Sequence, residues 1–81
     1  MRMGYVVQVV VALRKPPSEA LMTALDHQFG EASHQHGTTT VELSEHVSMS
    51  DEADAVAFVR GLVLDAIPDG SKIAEITSSP D

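Results

Sequence analysis

Apolar positions along the chain fall either into short β-branched runs or into stripes with helical spacing. The run from Tyr5 to Leu13 is rich in Val, and Gln8 is the one polar residue within it. A run of this length without helix punctuation is typical of a strand that is covered on both faces of a sheet. We therefore predict a first strand that is central in the sheet.

The first stripe with helical spacing follows this strand. Leu21, Leu25 and Phe29 recur at intervals of four residues. Ser18 precedes the stripe as a candidate N-cap, and Gly30 follows it as a candidate C-terminal cap. The pattern predicts a helix over about residues 18–29.

The second helix is predicted over about residues 51–67, where apolar residues form a broad stripe behind an acidic first turn. Ser48 fits the N-cap of a capping box, and Ser50 is the rival N-cap. A turn at 68–70 then leads to a short last strand over residues 72–77.

A β-hairpin is predicted between the helices, with His36 and Gly37 as its turn. The flanking strands cover residues 31–36 and 38–44. The polar stretch 45–50 breaks the alternation, so we expect it to connect the hairpin to the second helix.

The register of this hairpin is argued from the face of its apolar residues. With a two-residue turn, Ala32 lies opposite Val41 and all the apolar residues share one face. The same register sets Glu31 opposite Glu42 on the other face. Like charges that are directly opposed destabilise a strand pair, so we expect the two side chains to splay into water.

The predicted order of elements is βαββαβ. With right-handed crossovers this order gives an α+β fold with a four-stranded antiparallel sheet, strand order 4-1-3-2, and both helices on one face. In topology it resembles the ferredoxin-like superfold, which hosts many unrelated functions. We expect a single domain over residues 1–81, with a core over about 4–77 and a frayed tail at 78–81.

Charge and composition narrow the class of function. Twelve acids and five bases give a net charge of −7, which disfavours binding to nucleic acid. The chain has no cysteine, which suits a reducing cytoplasmic location. The apolar run near the start is shorter than the roughly 20 residues of a membrane span, so no membrane association is expected.

Residues with catalytic or ligand-binding chemistry are few. No nucleophile elbow, P-loop or dinucleotide fingerprint is present, so we predict neither a catalytic site nor a cofactor. His34 and His36 alternate on a predicted strand and could share a metal ion. Two imidazoles do not complete a site, because His46 lies roughly 23 Å further along the strand at about 3.3 Å per residue. A polar hairpin tip is the simpler interpretation of this pair.

The most informative feature is the face of the sheet that the helices leave open. If the odd-numbered residues of the first strand face the helices, its even-numbered residues face away from them. Valines on an uncovered face indicate an association surface. We predict that this surface contains Val6, Gln8, Val10, Ala12, Thr40 and Glu42, with Ile73 or Ile76 nearby.

Three functional hypotheses follow. The first is a non-enzymatic regulatory or interaction module that uses its open face or an edge strand to form a homodimer or to bind another protein. The second is a small-molecule-binding protein or enzyme with a pocket between the sheet faces of a dimer, as in the dimeric α+β barrel monooxygenases and isomerases that the fold resembles. Tyr5, His34 and Glu42 are its candidate residues. The third is metal binding through His34 and His36.

Overall fold

The computed structural model describes residues 3–80, without the side chain of Met3. Six elements follow one another: β1 (Met3–Ala12), α1 (Glu19–Gln28), β2 (Glu31–His34), β3 (Thr40–Met49), α2 (Glu52–Ala66) and β4 (Lys72–Pro80). The strands form one antiparallel sheet in the order β2-β3-β1-β4, which is the predicted order 4-1-3-2 read from the other edge. The predicted α+β, ferredoxin-like βαββαβ fold is confirmed.

The core lies between the sheet and the two helices, which pack on the same face. β1 contributes its odd-numbered residues, as its pattern predicts. The buried side chains are those of Tyr5, Val7, Val9, Val11, Leu25, Phe29, Val41, Leu43, Ala55, Val59 and Val63. Within the described part of the chain, Tyr5 is the only one of the buried side chains that carries a polar atom. Apart from Tyr5, the polar and charged side chains of the described residues are therefore at least partly exposed.

Helix α1 begins as predicted and ends differently. The Ser18 hydroxyl oxygen accepts a hydrogen bond from the backbone N–H of Leu21 at 3.1 Å, which confirms the N-cap. The helix ends at Phe29, whose backbone is extended, and Gly30 does not adopt a positive φ. The predicted glycine cap is wrong because Phe29 is buried in the core and leads the chain directly into β2.

Helix α2 is capped by Asp51. Its carboxylate accepts a hydrogen bond from the backbone N–H of Asp54 at 2.9 Å. The predicted N-caps Ser48 and Ser50 are both wrong, because β3 continues through Met49 and the chain turns only after it.

Strand β3 includes most of the stretch that was expected to be a connection. It pairs with β1 over its whole length, from Thr40 opposite Ala12 to Met49. The inward alternation resumes at Val47 and Met49, both packed against the core. Glu45 occupies the inward position before them and hides the pattern in the sequence. His46 thus lies within a strand.

The hairpin register differs from the predicted one by two residues. Ala32 lies opposite Leu43, Glu31 opposite Ser44 and Ser33 opposite Glu42. A shift of two residues leaves every side chain on its predicted face, because the side-chain period of a strand is two. The predicted direct opposition of Glu31 and Glu42 is nevertheless wrong.

A longer loop causes this shift. Residues 35–39 separate β2 from β3. The backbone N–H of Thr38 donates to the carbonyl of Gln35 at 3.2 Å, and Gly37 has a φ of +84°. The carbonyl of Thr39 accepts from the N–H of Leu13, at 2.8 Å, beyond the end of β1. The turn is thus fixed partly by a contact with a distant strand.

Strand β4 runs beyond its predicted end at Thr77 and pairs with β1 as far as Pro80. A bulge at Ala74 interrupts the register. Because of this bulge, Ile73 and Ile76 both pack against the core, three residues apart, and neither lies on the open face. No helix within residues 3–80 has the length and apolar character needed to cross a membrane.

Candidate functional site

The open face is the side of the sheet that faces away from α1 and α2. Its central residues form two rows that run across the strands. One row contains Ser33, Glu42, Val10 and Glu75, and the next contains Glu31, Ser44, Gln8 and Thr77. Each row takes one residue from β2, β3, β1 and β4, in that order.

Glutamates surround the centre of the open face. Val10 lies directly between Glu42 on β3 and Glu75 on β4. At about 5 Å between neighbouring strands, the Cα atoms of these glutamates are roughly 10 Å apart. Glu31 is diagonal to Glu42, at a distance of about 7 to 8 Å. Two carboxylates, those of Glu42 and Glu75, therefore flank Val10, and the third, that of Glu31, lies beyond Glu42 at the edge of the same surface.

The two rows line a shallow depression of about 330 Å³. Besides the glutamates, its polar groups are the amide of Gln8 and the hydroxyls of Ser33, Ser44 and Thr77. Ionised carboxylates only accept hydrogen bonds, and an excess of negative charge attracts cations. The depression is thus chemically suited to ammonium or guanidinium groups.

An apolar stripe on β1 crosses the open face. Val6, Val10 and Ala12 are half-buried, and Gln8 is exposed between them. The structure places these residues on one face with Thr40 and Glu42, as the sequence predicts. The other strands add mainly hydroxyl and charged side chains, so the face is more polar than the pattern of β1 alone indicates.

Glu75 is the residue of this surface that the sequence did not reveal. Simple alternation from Ile73 would have turned Glu75 toward the helices. The bulge at Ala74 turns it to the open face instead, opposite Val10. The spacing of Ile73 and Ile76 is the available signal, since two inward residues three positions apart in one strand require a bulge.

We compared the chain with known proteins. No protein-family model, curated protein or solved structure matches it. The geometry of the open face therefore carries the functional argument alone.

The two candidate metal ligands are not side by side on a strand. Strand β2 ends at His34, and His36 lies in the turn. Nε2 of His34 donates a hydrogen bond to the carbonyl of Thr38 at 2.7 Å, in the tautomer that protonates this nitrogen. No group of three or more metal-ligating side chains occurs among the described residues. The strand alternation that motivated the metal hypothesis is thus absent at His36.

The candidate residues of the enzyme hypothesis are also separated. Tyr5 is buried under the helices. His34 lies next to Val41, which pairs with Val11, six residues along β1 from Tyr5. At about 3.3 Å per residue this distance is roughly 20 Å. Glu42 belongs to the opposite face of the sheet, so the three do not form one site.

Proposed function

We propose that this chain is a non-enzymatic protein-interaction module and that its open face binds the partner. One observation carries the proposal. Val10 is at the centre of the sheet, half-buried, on the side that neither helix covers, between Glu42 and Glu75. An apolar residue in this position is stabilised when a partner removes it from water.

The chemistry of the face selects the kind of partner. Val6, Val10 and Ala12 offer apolar area, which is worth roughly 25 cal/mol for each Å² that is buried. Glu42 and Glu75 flank the valine at the centre of this area and Glu31 lies beyond Glu42, so the three carboxylates favour a partner with Lys or Arg beside its apolar groups. Complementary charge raises the rate of association and excludes acidic competitors. The partner is therefore a protein with a basic surface that has an apolar centre.

A second copy of the chain is the competing occupant of the open face. Two copies packed face to face would bring six glutamates to one interface, three from each. The same face carries two basic residues, Lys72 and His46. Lys72 lies on β4 opposite Ala12, and His46 lies on β3 opposite Val6. Like charges in apposition cost several kcal/mol, so the open face favours a basic protein over a second copy.

A small organic cation is a second candidate ligand, favoured by the three carboxylates around one depression. Titration with spermidine, followed by amide NMR shifts, tests it. Saturable shifts at Gln8 and Val10 that are lost in Glu42→Gln would support this function. Shifts spread evenly over all the acidic residues would contradict it.

Site-specific photo-crosslinking tests the main proposal. Gln8 is exposed at the centre of the open face, and Thr23 is exposed on α1 on the other side of the molecule. A photoreactive residue is placed at one position or the other in the full chain, and crosslinking is carried out in the native cell. We expect a basic protein to be captured from position 8 and not from position 23.

Charge reversal completes this design. Glu75→Lys places a cation beside Val10 and should abolish the crosslink from position 8, whereas Glu19→Lys on α1 should leave it intact. Capture of the same proteins from both positions would contradict the proposal. A crosslink from position 8 to a second copy of the chain would instead assign the open face to self-association.

A further inference from the structure

Helix α2 is apolar on two sides. Ala55, Val59 and Val63 face the core. On the outside of the helix lies a second set of apolar residues, which we call the outer stripe. The outer stripe consists of Ala53, Val56, Ala57, Gly61 and Leu64. Its intervals of three and four residues are those of a continuous helix face. Apolar residues on a helix face that looks away from the core indicate an association surface.

The outer stripe is accessible in the single chain. Half of the surface of Leu64 is exposed, at 50%. Ala53, Ala57 and Gly61 are exposed as well, and a Cβ added at Gly61 would meet no atom within 4 Å. These small residues line an open groove along the helix. Small side chains allow a second helix to approach to about 8 Å.

The charges beside the groove determine what fits it. Glu52 and Arg60 both line it, and they are eight residues apart. At 1.5 Å per residue this separation is about 12 Å along the axis, too far for an ion pair within one helix. An antiparallel helix that crosses between Val56 and Ala57 would place its Arg60 level with Ala53, beside Glu52. A two-fold axis makes this contact twice.

We propose that the outer stripe of α2 binds the outer stripe of a second copy of this chain, in antiparallel orientation. The self-complementary arrangement has the isologous symmetry of most dimers. A parallel arrangement would set Arg60 against Arg60, and an unrelated acidic helix would leave Glu52 unpaired. One helix pair buries less than the roughly 800 Å² per partner of a standard interface, so association is weak and depends on protein concentration.

Sedimentation equilibrium of the full chain, from low to high micromolar concentration, tests the proposal. We expect a monomer–dimer equilibrium. Arg60→Glu should weaken the dimer about tenfold, because attraction at two symmetric contacts becomes repulsion. Arg60→Glu combined with Glu52→Arg should restore the association, since the reversed pair meets only across the two chains.

Two further variants keep the test decisive. Ala57→Glu places a charge where the two helices cross, at an exposed position, and should also weaken the dimer. Glu42→Arg changes the charge of the open face by two units, as many as Arg60→Glu but in the opposite direction, and should leave the dimer intact. Circular dichroism confirms that each variant is folded.

Three results would overturn the proposal. The first is a monomer at every concentration. The second is a dimer that is as stable in both Arg60→Glu and Ala57→Glu as in the unsubstituted chain. The third is failure of the double charge reversal to restore association while the variant is folded.

Discussion

Val9 and Val10 are adjacent in β1 and lie on opposite faces of the sheet, so they offer a matched pair of substitutions. Val9 is 1% exposed in the core, whereas Val10 is half-buried on the open face. Val→Ala removes the same two carbon atoms at each position. We expect Val9→Ala to be much more destabilising than Val10→Ala.

The magnitude follows from burial. Two carbon groups at about 0.8 kcal/mol each give roughly 1.6 kcal/mol of lost transfer free energy at Val9. The cavity left behind raises the cost to about 2 to 3 kcal/mol. Val10 is partly in water already, so its truncation should cost less than about 1 kcal/mol. A domain of this size has a free energy of unfolding of about 4 to 12 kcal/mol, and Val9→Ala removes a large part of it.

Thermal unfolding followed by circular dichroism at low micromolar concentration measures the difference. At roughly 4 to 8 °C per kcal/mol for a small domain, Val9→Ala should lower the Tm by about 8 to 24 °C. Val10→Ala should lower it by less than about 8 °C. An equal loss at the two positions would refute the assignment of the faces. A cost at Val10 that grows with protein concentration would show that copies of the chain bury the open face in one another.

Two further pairs of substitutions test local structure, with stability again measured by thermal unfolding. Asp51→Ala should cost about 1 kcal/mol because it removes the N-cap of α2, while Ser50→Ala should cost nearly nothing; equal costs would contradict the observed cap. Gly37→Ala should cost about 1 kcal/mol because the φ of Gly37 is +84°. In contrast, Gly61→Ala should stabilise the chain by about 0.8 kcal/mol through helix propensity, and destabilisation at Gly61 would contradict its open surroundings.

The parts of the fold that depend on local pattern could be predicted from the sequence. The β-branched run of β1 and the spacing of Leu21, Leu25 and Phe29 are local features, as is the Ser18 cap. Together with the preference for right-handed crossovers they lead to the observed strand order. The inward and outward positions of β1 follow from the same alternation.

The details of the fold that were predicted incorrectly from the sequence depend on contacts between distant residues. The five-residue loop after β2 is held partly by the bond between Leu13 and Thr39, which a hairpin read in isolation cannot contain. The bulge at Ala74 depends on the pairing of β4 with β1. Glu45 at an inward position concealed the second half of β3. Each of these features shifts an element without changing the order of the elements.

The residues of the two candidate surfaces also divide into those that local pattern predicts and those that depend on tertiary structure. Val6, Gln8 and Val10 follow from alternation in β1, so their shared face could be predicted. Glu75 could not, because the bulge that places it beside Val10 depends on tertiary pairing. The outer stripe of α2 was hidden for another reason. The sequence pattern joins Val56 and the core residues of α2 in one broad apolar stripe, and only the exposure of Ala57 and Leu64 separates the two sides of the helix.

The two proposed surfaces lie on opposite sides of the molecule, and this position has a consequence for binding. A dimer formed through α2 has its helices inside and both open faces outside. A partner with two basic segments could then engage both faces, and the second contact would form at high effective concentration. Arg60→Glu should therefore weaken binding of such a bivalent partner and leave binding of a single basic segment unchanged. Calorimetry with one-segment and linked two-segment versions of the captured partner measures this difference. An equal effect of Arg60→Glu on the binding of both versions would show that the partner contacts α2 directly.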